Sequence, residues 1–215
     1  MPILQGEKVS IGAHALQGEL VAPRDASALV LFIHRHGVHG HSARKRFLAD
    51  VLNAYHLATL SLELLTESES QDSAKASDLG LLCSRVQEAM AWVERRDDTA
   101  GLSVGLFGAG TGSAAALEAA SQRPGRVSAV VSRGGRPELA PHLGRVVAPT
   151  LLIVGGRDPE VLALNLAALS RLKCSKRLEI VPGAGHGFEE PGALESVAHL
   201  AGTWFERHAP AARHT

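Results

Sequence analysis

The sequence has little of what marks a secreted, membrane-bound or nucleic-acid-binding protein. Only two of its 215 residues are cysteine and only 4% are aromatic. Its 22 acidic side chains balance its 22 basic ones, so the formal net charge is zero. A nucleic-acid binder normally carries a basic excess that neutralises phosphates and aromatic rings that stack on bases. The composition therefore argues against nucleic-acid binding and favours a soluble globular protein.

Membrane and export signals are also missing from the sequence. No apolar run approaches the roughly 20 residues that a helix needs to cross a bilayer. Residues 1–8 lack the charged segment followed by an apolar segment that begins a secretory signal. Cys83 and Cys174 are too few to indicate a disulfide framework, which a chain of this length does not need. We therefore expect a cytoplasmic protein with reduced thiols and no membrane partner.

Strand-like and helix-like segments alternate along the chain. Apolar runs typical of strands covered on both faces lie at 28–33, 57–62, 102–107, 127–131, 150–154 and 177–181. Two further strands are expected at 8–14 and 16–21, and helices at 43–54, 78–94, 113–121, 159–172 and 192–208. Helices between buried strands predict an α/β fold with a mainly parallel eight-stranded sheet, helices on both faces and an antiparallel first pair. We expect one domain over 1–208, an exposed loop at 66–76 and a flexible tail at 209–215.

Three segments place chemistry-bearing positions at the ends of predicted strands. Residues 107–114 read FGAGTGSA and lie where a strand ends and a helix begins. This is the context of the Gly-x-Ser-x-Gly turn, which lifts a serine above the sheet and uses the next amide to bind an oxyanion. Asp158 follows a later strand, and His186 follows the next one. The order of nucleophile position, acid and histidine is that of the α/β-hydrolases.

On these residues the chain resembles the dienelactone-hydrolase-like branch of the α/β-hydrolase superfamily, small single-domain proteins without a large cap. The stretches 131–137, 148–156 and 188–194 resemble a bacterial subgroup in which some members are fused to a phosphoribosyltransferase. The resemblance covers about residues 8–208. It implies the α/β-hydrolase fold, hydrolysis of carboxylic esters or lactones, no cofactor and a small-molecule ligand. The fusion implies a phosphoribosyltransferase as a neighbour.

The resemblance breaks at the nucleophile. Residues 108–112 read GAGTG, and Gly110 has no side chain with which to attack a carbonyl. In a comparable triad, loss of the nucleophile lowers kcat by about 10⁶. The loop after the third strand, which contains Arg35 and His36, also departs from the family pattern, because Arg35 stands where a glycine is expected and its bulk can enter the oxyanion site. The resemblance places the second oxyanion-binding amide at Thr111, the residue after the nucleophile position. We therefore expect a pseudoenzyme with a degenerate catalytic triad and little serine-esterase activity.

Other interpretations of the site stay open. Thr111, Ser113 or Cys83 would act as nucleophile in one of them. In a second, the pair of Asp158 and His186 activates water or the substrate directly, as in general-base catalysis. In a third, the domain is a non-catalytic module that binds a ligand or a partner. An engineered knock-out at residue 110 is compatible too, although it leaves the changed oxyanion loop unexplained.

Charged and metal-ligating side chains cluster near the strand ends. Arg35, Arg44 and Arg133 follow strands at the edge where open α/β sheets bind ligands, and are candidates for holding an anion. The alternative is ordinary surface cations, some of them paired with Glu63. The i, i+2 spacing also makes four histidines weak candidates for metal ligands: His34, His36, His39 and His41. Since no nearby acid or cysteine completes a ligand set, we predict no metal site.

Overall fold

The computed structural model describes residues 6–34 and 43–209. The strands are β1 Glu7–Ile11, β2 Leu16–Val21, β3 Ala28–His34, β4 Leu57–Glu63, β5 Ser103–Ala109, β6 Val127–Arg133, β7 Thr150–Gly155 and β8 Lys176–Val181. The helices are α1 Ala43–Ala54, α2 Glu67–Gln71, α3 Ser73–Ser77, α4 Leu79–Arg95, α5 Thr111–Gln122, α6 Pro159–Arg171 and α7 Ala193–His208. Two single-turn 3₁₀ helices lie at Pro137–Leu139 and Leu143–Arg145.

One eight-stranded sheet runs through the molecule in the order β1-β2-β4-β3-β5-β6-β7-β8. Strand β2 is antiparallel to both of its neighbours, and the remaining strands pair in parallel. The prediction of a mainly parallel α/β sheet with an antiparallel first pair is confirmed. The first strand is shorter than predicted, because residues 12–15 form the turn into β2.

Apolar side chains pack on both faces of the sheet and explain the continuous apolar runs. In β3, Leu29 and Leu31 belong to the cluster beneath α4 and α5, whereas Val30 and Phe32 belong to the cluster beneath α1 and α7. All four side chains are almost fully buried. A strand covered on both faces has no polar alternation, which is why its sequence reads as an unbroken apolar run.

The prediction of an exposed loop at 66–76 is wrong, because this segment contains α2 and most of α3. Its polar residues are helix caps. Thr66 and Glu69 form a capping box, in which the Glu69 carboxylate accepts the Thr66 N–H at 2.9 Å and the Thr66 hydroxyl accepts the Glu69 N–H at 3.3 Å. The Asp72 carboxylate caps α3 by accepting the N–H groups of Ala74 and Lys75. Glu69 also pairs with the buried Arg85 at 3.2 Å, which fastens the segment to α4.

Within 6–34 and 43–209, no helix combines the length and the apolar character that a bilayer-crossing segment requires.

Candidate active site

The turn between β5 and α5 has the conformation of a nucleophile turn. Gly110 sits at its apex with φ +54° and ψ −130°. Its carbonyl oxygen accepts the N–H groups of Ser113 at 3.2 Å and Arg136 at 2.9 Å. Both a helix and a neighbouring loop therefore hold this peptide in place.

The two flanking glycines are required by close approaches of the backbone. A Cβ on Gly108 would lie 2.6 Å from the Cα of Ser113, and a Cβ on Gly112 would lie 2.6 Å from the carbonyl oxygen of Ile33. At Gly110 the situation is the reverse, because a Cβ there would meet no atom of the described residues within 4 Å. The turn thus keeps its tight frame and the space for a side chain at 110, but no side chain fills it.

The acid and the histidine are hydrogen-bonded to each other. Asp158 follows β7, and its Oδ2 lies 2.7 Å from Nδ1 of His186, in the loop after β8. The Asp158 side chain is 13% exposed, and that of His186 is 67% exposed. The other Asp158 oxygen, Oδ1, accepts the N–H of Val161 at 3.3 Å and so caps α6. The bond at Nδ1 leaves Nε2 of the imidazole as the nitrogen that can meet a ligand.

A salt bridge and two backbone hydrogen bonds hold the histidine loop against the acid loop. The Glu190 carboxylate accepts the N–H of Gly185 at 3.1 and 3.0 Å and also accepts a hydrogen bond from the Arg157 guanidinium. The Arg157 N–H donates to the Ala184 carbonyl at 2.9 Å. The Gly185 N–H, together with the Glu190 backbone N–H and Arg157, lowers the pKa of Glu190 to about 2. The residues next to Asp158 and His186 are therefore linked through one carboxylate.

Arg44, at the start of α1, supports the same loop from the other side. Its guanidinium donates to the carbonyl oxygens of Gly187 and Phe188, the latter at 2.8 Å, and pairs with the exposed Glu189 at 3.1 Å. Phe188 is buried and has φ +53°. A left-handed conformation is costly for a bulky residue and persists only where its surroundings enforce it. Arg44 is thus occupied by the loop rather than free to bind a ligand.

Arg133, at the end of β6, lies between the glycine turn and the histidine loop. Its Cα is the register partner of Ala109, the residue before Gly110. The guanidinium carbon is 5.7 Å from the centre of the Phe188 ring, and Nε is buried without a hydrogen-bond partner. Burial lowers the pKa of Arg133, and the nearby charge of Arg44 lowers it further. The next residue, Gly134, contacts the histidine loop, where a Cβ would lie 3.3 Å from the His186 carbonyl oxygen.

Several predicted site residues lie outside the part of the chain that the structure describes. These are Arg35, His36, His39 and His41, so the oxyanion-loop and histidine hypotheses are not tested by the geometry. His34 ends β3. Within the two described ranges, no three metal-ligating side chains come together. Glu63 acts on Lys45, whose pKa it raises against a larger lowering by burial.

The alternative nucleophiles are poorly placed. The hydroxyl oxygens of Thr111 and Ser113 are buried, and that of Ser113 points at Gly135, where a Cβ would lie 2.1 Å away. Cys83 is buried on α4, and this burial is the main reason why the pKa of its thiol is raised to about 11. A thiol with so high a pKa is protonated at neutral pH and is a weak nucleophile.

Sequence reasoning missed Arg157 and Glu190, because a salt bridge between loops 33 residues apart leaves no local pattern.

Comparison with known proteins agrees with this geometry. Residues 64–209 match the Dienelactone hydrolase family. A Mycobacterium tuberculosis H37Rv protein, provisionally named a phosphoribosyl transferase, is 48% identical over 210 residues, which are 96% of this chain and 47% of that protein. The chain thus spans about half the length of the curated relatives it matches.

Solved structures show the same likeness. The dienelactone hydrolase of Anabaena variabilis is 50% identical, with a TM-score of 0.89 over 96% of this chain and 98% of that one. A dienelactone hydrolase-like promiscuous phosphotriesterase from metagenomic libraries is 21% identical, with a TM-score of 0.72 over 96% of this chain and 99% of its own. The latter likeness shows the fold alone.

Proposed function

The chain belongs to the dienelactone hydrolase family, and from that premise we propose that it is a member that forms no acyl-enzyme and binds a small-molecule ligand at the carboxyl ends of its strands. In this proposal the protein has the fold of a hydrolase of esters or lactones and a degenerate triad. It is a pseudoenzyme with respect to serine-esterase chemistry.

The observation that carries the proposal is the geometry at Gly110. The turn is held in the φ +54° conformation, and a Cβ would enter open space among the described residues, but no oxygen is present to be acylated. Acyl transfer in this fold needs a nucleophile that gives its proton to the histidine and accepts the acyl group. Glycine can do neither, whereas the space and the hydrogen-bonded histidine remain for a ligand.

A second candidate function is hydrolysis by a water molecule that His186 activates. The hydrogen bond between Nδ1 of His186 and Asp158 and the exposure of the ring favour it. Nε2 would take a proton from water as the oxygen attacks the ester carbonyl, and would return that proton to the departing alcohol. General-base catalysis of this kind contributes about 10² to 10⁴ in rate, well below a complete triad.

The experiment restores the missing hydroxyl. Short-chain p-nitrophenyl esters and a fluorophosphonate label are offered to the native chain, Gly110→Ser, the matched control Gly110→Ala, and Gly110→Ser combined with His186→Ala. We expect label and esterase turnover only in Gly110→Ser, with a gain of up to about 10⁶ over Gly110→Ala. If Gly110→Ser stays inactive, adding Arg35→Gly tests whether the oxyanion loop blocks the reaction.

Each outcome separates the candidates. Covalent labelling of the native chain at the site, together with fast turnover, would contradict the proposal. Turnover by the native chain that disappears in His186→Ala, without any covalent adduct, would favour the activated-water route instead.

We also propose a cytoplasmic setting and a phosphoribosyltransferase as a neighbour. The free cysteines Cys83 and Cys174 are compatible with a reducing compartment. The neighbour is suggested by the mycobacterial relative, which carries that name and is about twice as long as the matched region. Co-purification of the native chain with its genomic neighbours, analysed by mass spectrometry, would test the partner.

A further inference from the structure

Arg133 is a partly buried cation, and no described residue supplies a counter-charge to it. No hydrogen bond or ion pair of its guanidinium to another described residue is present, and Nε is sealed from solvent without an acceptor. Among the described residues, the charged group that acts on it is Arg44, a second cation. Buried charges are normally paired, because the loss of hydration is not otherwise compensated. An uncompensated guanidinium beside a binding site therefore calls for an explanation.

The segment that precedes α1 cannot supply the missing carboxylate. Residues 35–42 read RHGVHGHS and contain no aspartate or glutamate. The acids of the neighbouring loops have other partners: Glu189 pairs with Arg44, Glu138 with Arg136, and Asp158 with His186. Neither residues 35–42 nor these described acids therefore offer Arg133 a free carboxylate.

Packing against Phe188 does not replace a counter-ion. The guanidinium carbon lies 5.7 Å from the ring centre, at the outer range of a cation–π contact. A ring face attracts the cation but accepts none of its N–H groups in the plane of the guanidinium. Apart from the sealed Nε, the N–H groups of Arg133 have no acceptor among the described residues and can meet a planar or tetrahedral acceptor.

The position of Arg133 connects it to the ligand site. It is in register with Ala109, one residue before the glycine turn, and Gly134 after it contacts the loop of His186. An anion bound to Arg133 would lie between the empty nucleophile position and the histidine loop.

We propose that Arg133 binds the negatively charged group of the ligand, which is a carboxylate or a phosphate monoester. Arg44, which holds the histidine loop, adds positive potential at this group. The inference rests on the proposed ligand-binding function and specifies the chemical class of the ligand. A guanidinium suits this task because its fixed N–H groups match two oxygens of a carboxylate or a phosphate at once.

Binding is tested with butyrate, butyl phosphate and the neutral butanol, at constant ionic strength, by calorimetry and by NMR. The variant is Arg133→Gln, and the matched control is Arg136→Gln, a half-exposed arginine of the same loop that already pairs with Glu138. We expect saturable binding of at least one anion and none of butanol, with affinity about tenfold or more lower in Arg133→Gln and unchanged in Arg136→Gln. The anion that binds more tightly shows whether the ligand carries a carboxylate or a phosphate.

A measurement on the native chain guards against a variant that folds poorly. Phenylglyoxal modifies arginine, and mass spectrometry reports the modified residue. We expect the bound anion to protect Arg133 and to leave Arg136 reactive. The variant itself should fold, because Arg133→Gln removes a charge that no described acid compensates.

Three results would overturn the inference: no binding of either anion, equal binding by Arg133→Gln and the native chain, or equal loss in Arg136→Gln. None of these depends on esterase activity. A native chain that hydrolyses esters through a covalent adduct, yet binds butyrate through Arg133, would refute the proposed function and leave this site standing.

Discussion

Replacing Gly110 by alanine should reveal the backbone strain that any side chain at this position causes. At φ +54° an L side chain costs about 1–2 kcal/mol relative to ordinary backbone, whereas glycine adopts this region freely. No steric penalty is added, because a Cβ would meet nothing among the described residues within 4 Å. Loss of glycine also restricts the unfolded chain, which returns about 0.4–1 kcal/mol. We therefore expect Gly110→Ala to lower the free energy of unfolding by about 1 kcal/mol.

Two matched glycines separate these contributions. Gly101 has no neighbour within 4 Å of a Cβ and does not have a positive φ, so Gly101→Ala reports the unfolded-chain effect alone. Gly125 is equally open but has φ +79°, so Gly125→Ala should show the same strain as Gly110→Ala. Equilibrium unfolding in urea gives the three values by linear extrapolation. For a chain of this size, 1 kcal/mol corresponds to about 2–4 °C in Tm, which provides an independent check.

The decisive quantity is the difference between Gly110→Ala and Gly101→Ala, expected at about 1–2 kcal/mol. If the two variants unfold with equal free energy, the turn is not strained and the reasoning fails. If Gly110→Ala is far more destabilising than Gly125→Ala, the space above residue 110 is filled, and the binding site proposed there is wrong.

Two further predictions concern the loops that carry the acid and the histidine. Glu190→Gln should destabilise the protein at neutral pH, because the ionised Glu190 carboxylate accepts the Gly185 N–H and pairs with Arg157, which lowers the pKa of Glu190. In urea unfolding at a series of pH values, the difference from the native chain should shrink as the pH falls from the ordinary pKa of 4.5 towards about 2. A difference that does not change with pH would contradict this account. Asp158→Ala should lower the free energy of unfolding by about 0.5–2 kcal/mol, because the α6 cap is lost. His186→Ala should change Tm little, because the His186 side chain is exposed. Equal effects of the two variants would show that Asp158 does not act as a cap.

The sheet and the order of the site residues could be predicted because each leaves a local pattern. Apolar runs indicated six of the eight strands, β3 to β8, since strands covered on both faces need apolar residues at most positions. Glycines at 108 and 112 indicated the tight turn, and the structure shows why, because a Cβ at either would strike backbone. Helix α2 was not predicted, because the polar residues that form and cap it are also common in loops.

The environment of the arginines could not be predicted, because the spacing of residues does not tell which groups a long side chain will reach. Arg44 and Arg133 looked alike as cations near strand ends. In the structure the Arg44 guanidinium donates to carbonyl oxygens 143 and 144 residues away along the chain. Arg133 is partly buried, and its Nε has no acceptor among the described residues. Only the fold decides that difference, and it changes which of the two is available to a ligand.

The pair of Asp158 and His186 does not have one common explanation. Stability alone explains the presence of Asp158, because its side chain caps α6 and is mostly buried. His186 stabilises no core, since two thirds of its side chain is exposed, yet its loop is fixed by Glu190 and by Arg44. These contacts hold the exposed imidazole with its second nitrogen accessible, as the proposed ligand site requires. A relic of lost catalysis would need Asp158 and could dispense with the rest, so the organised histidine loop favours a site that is still in use.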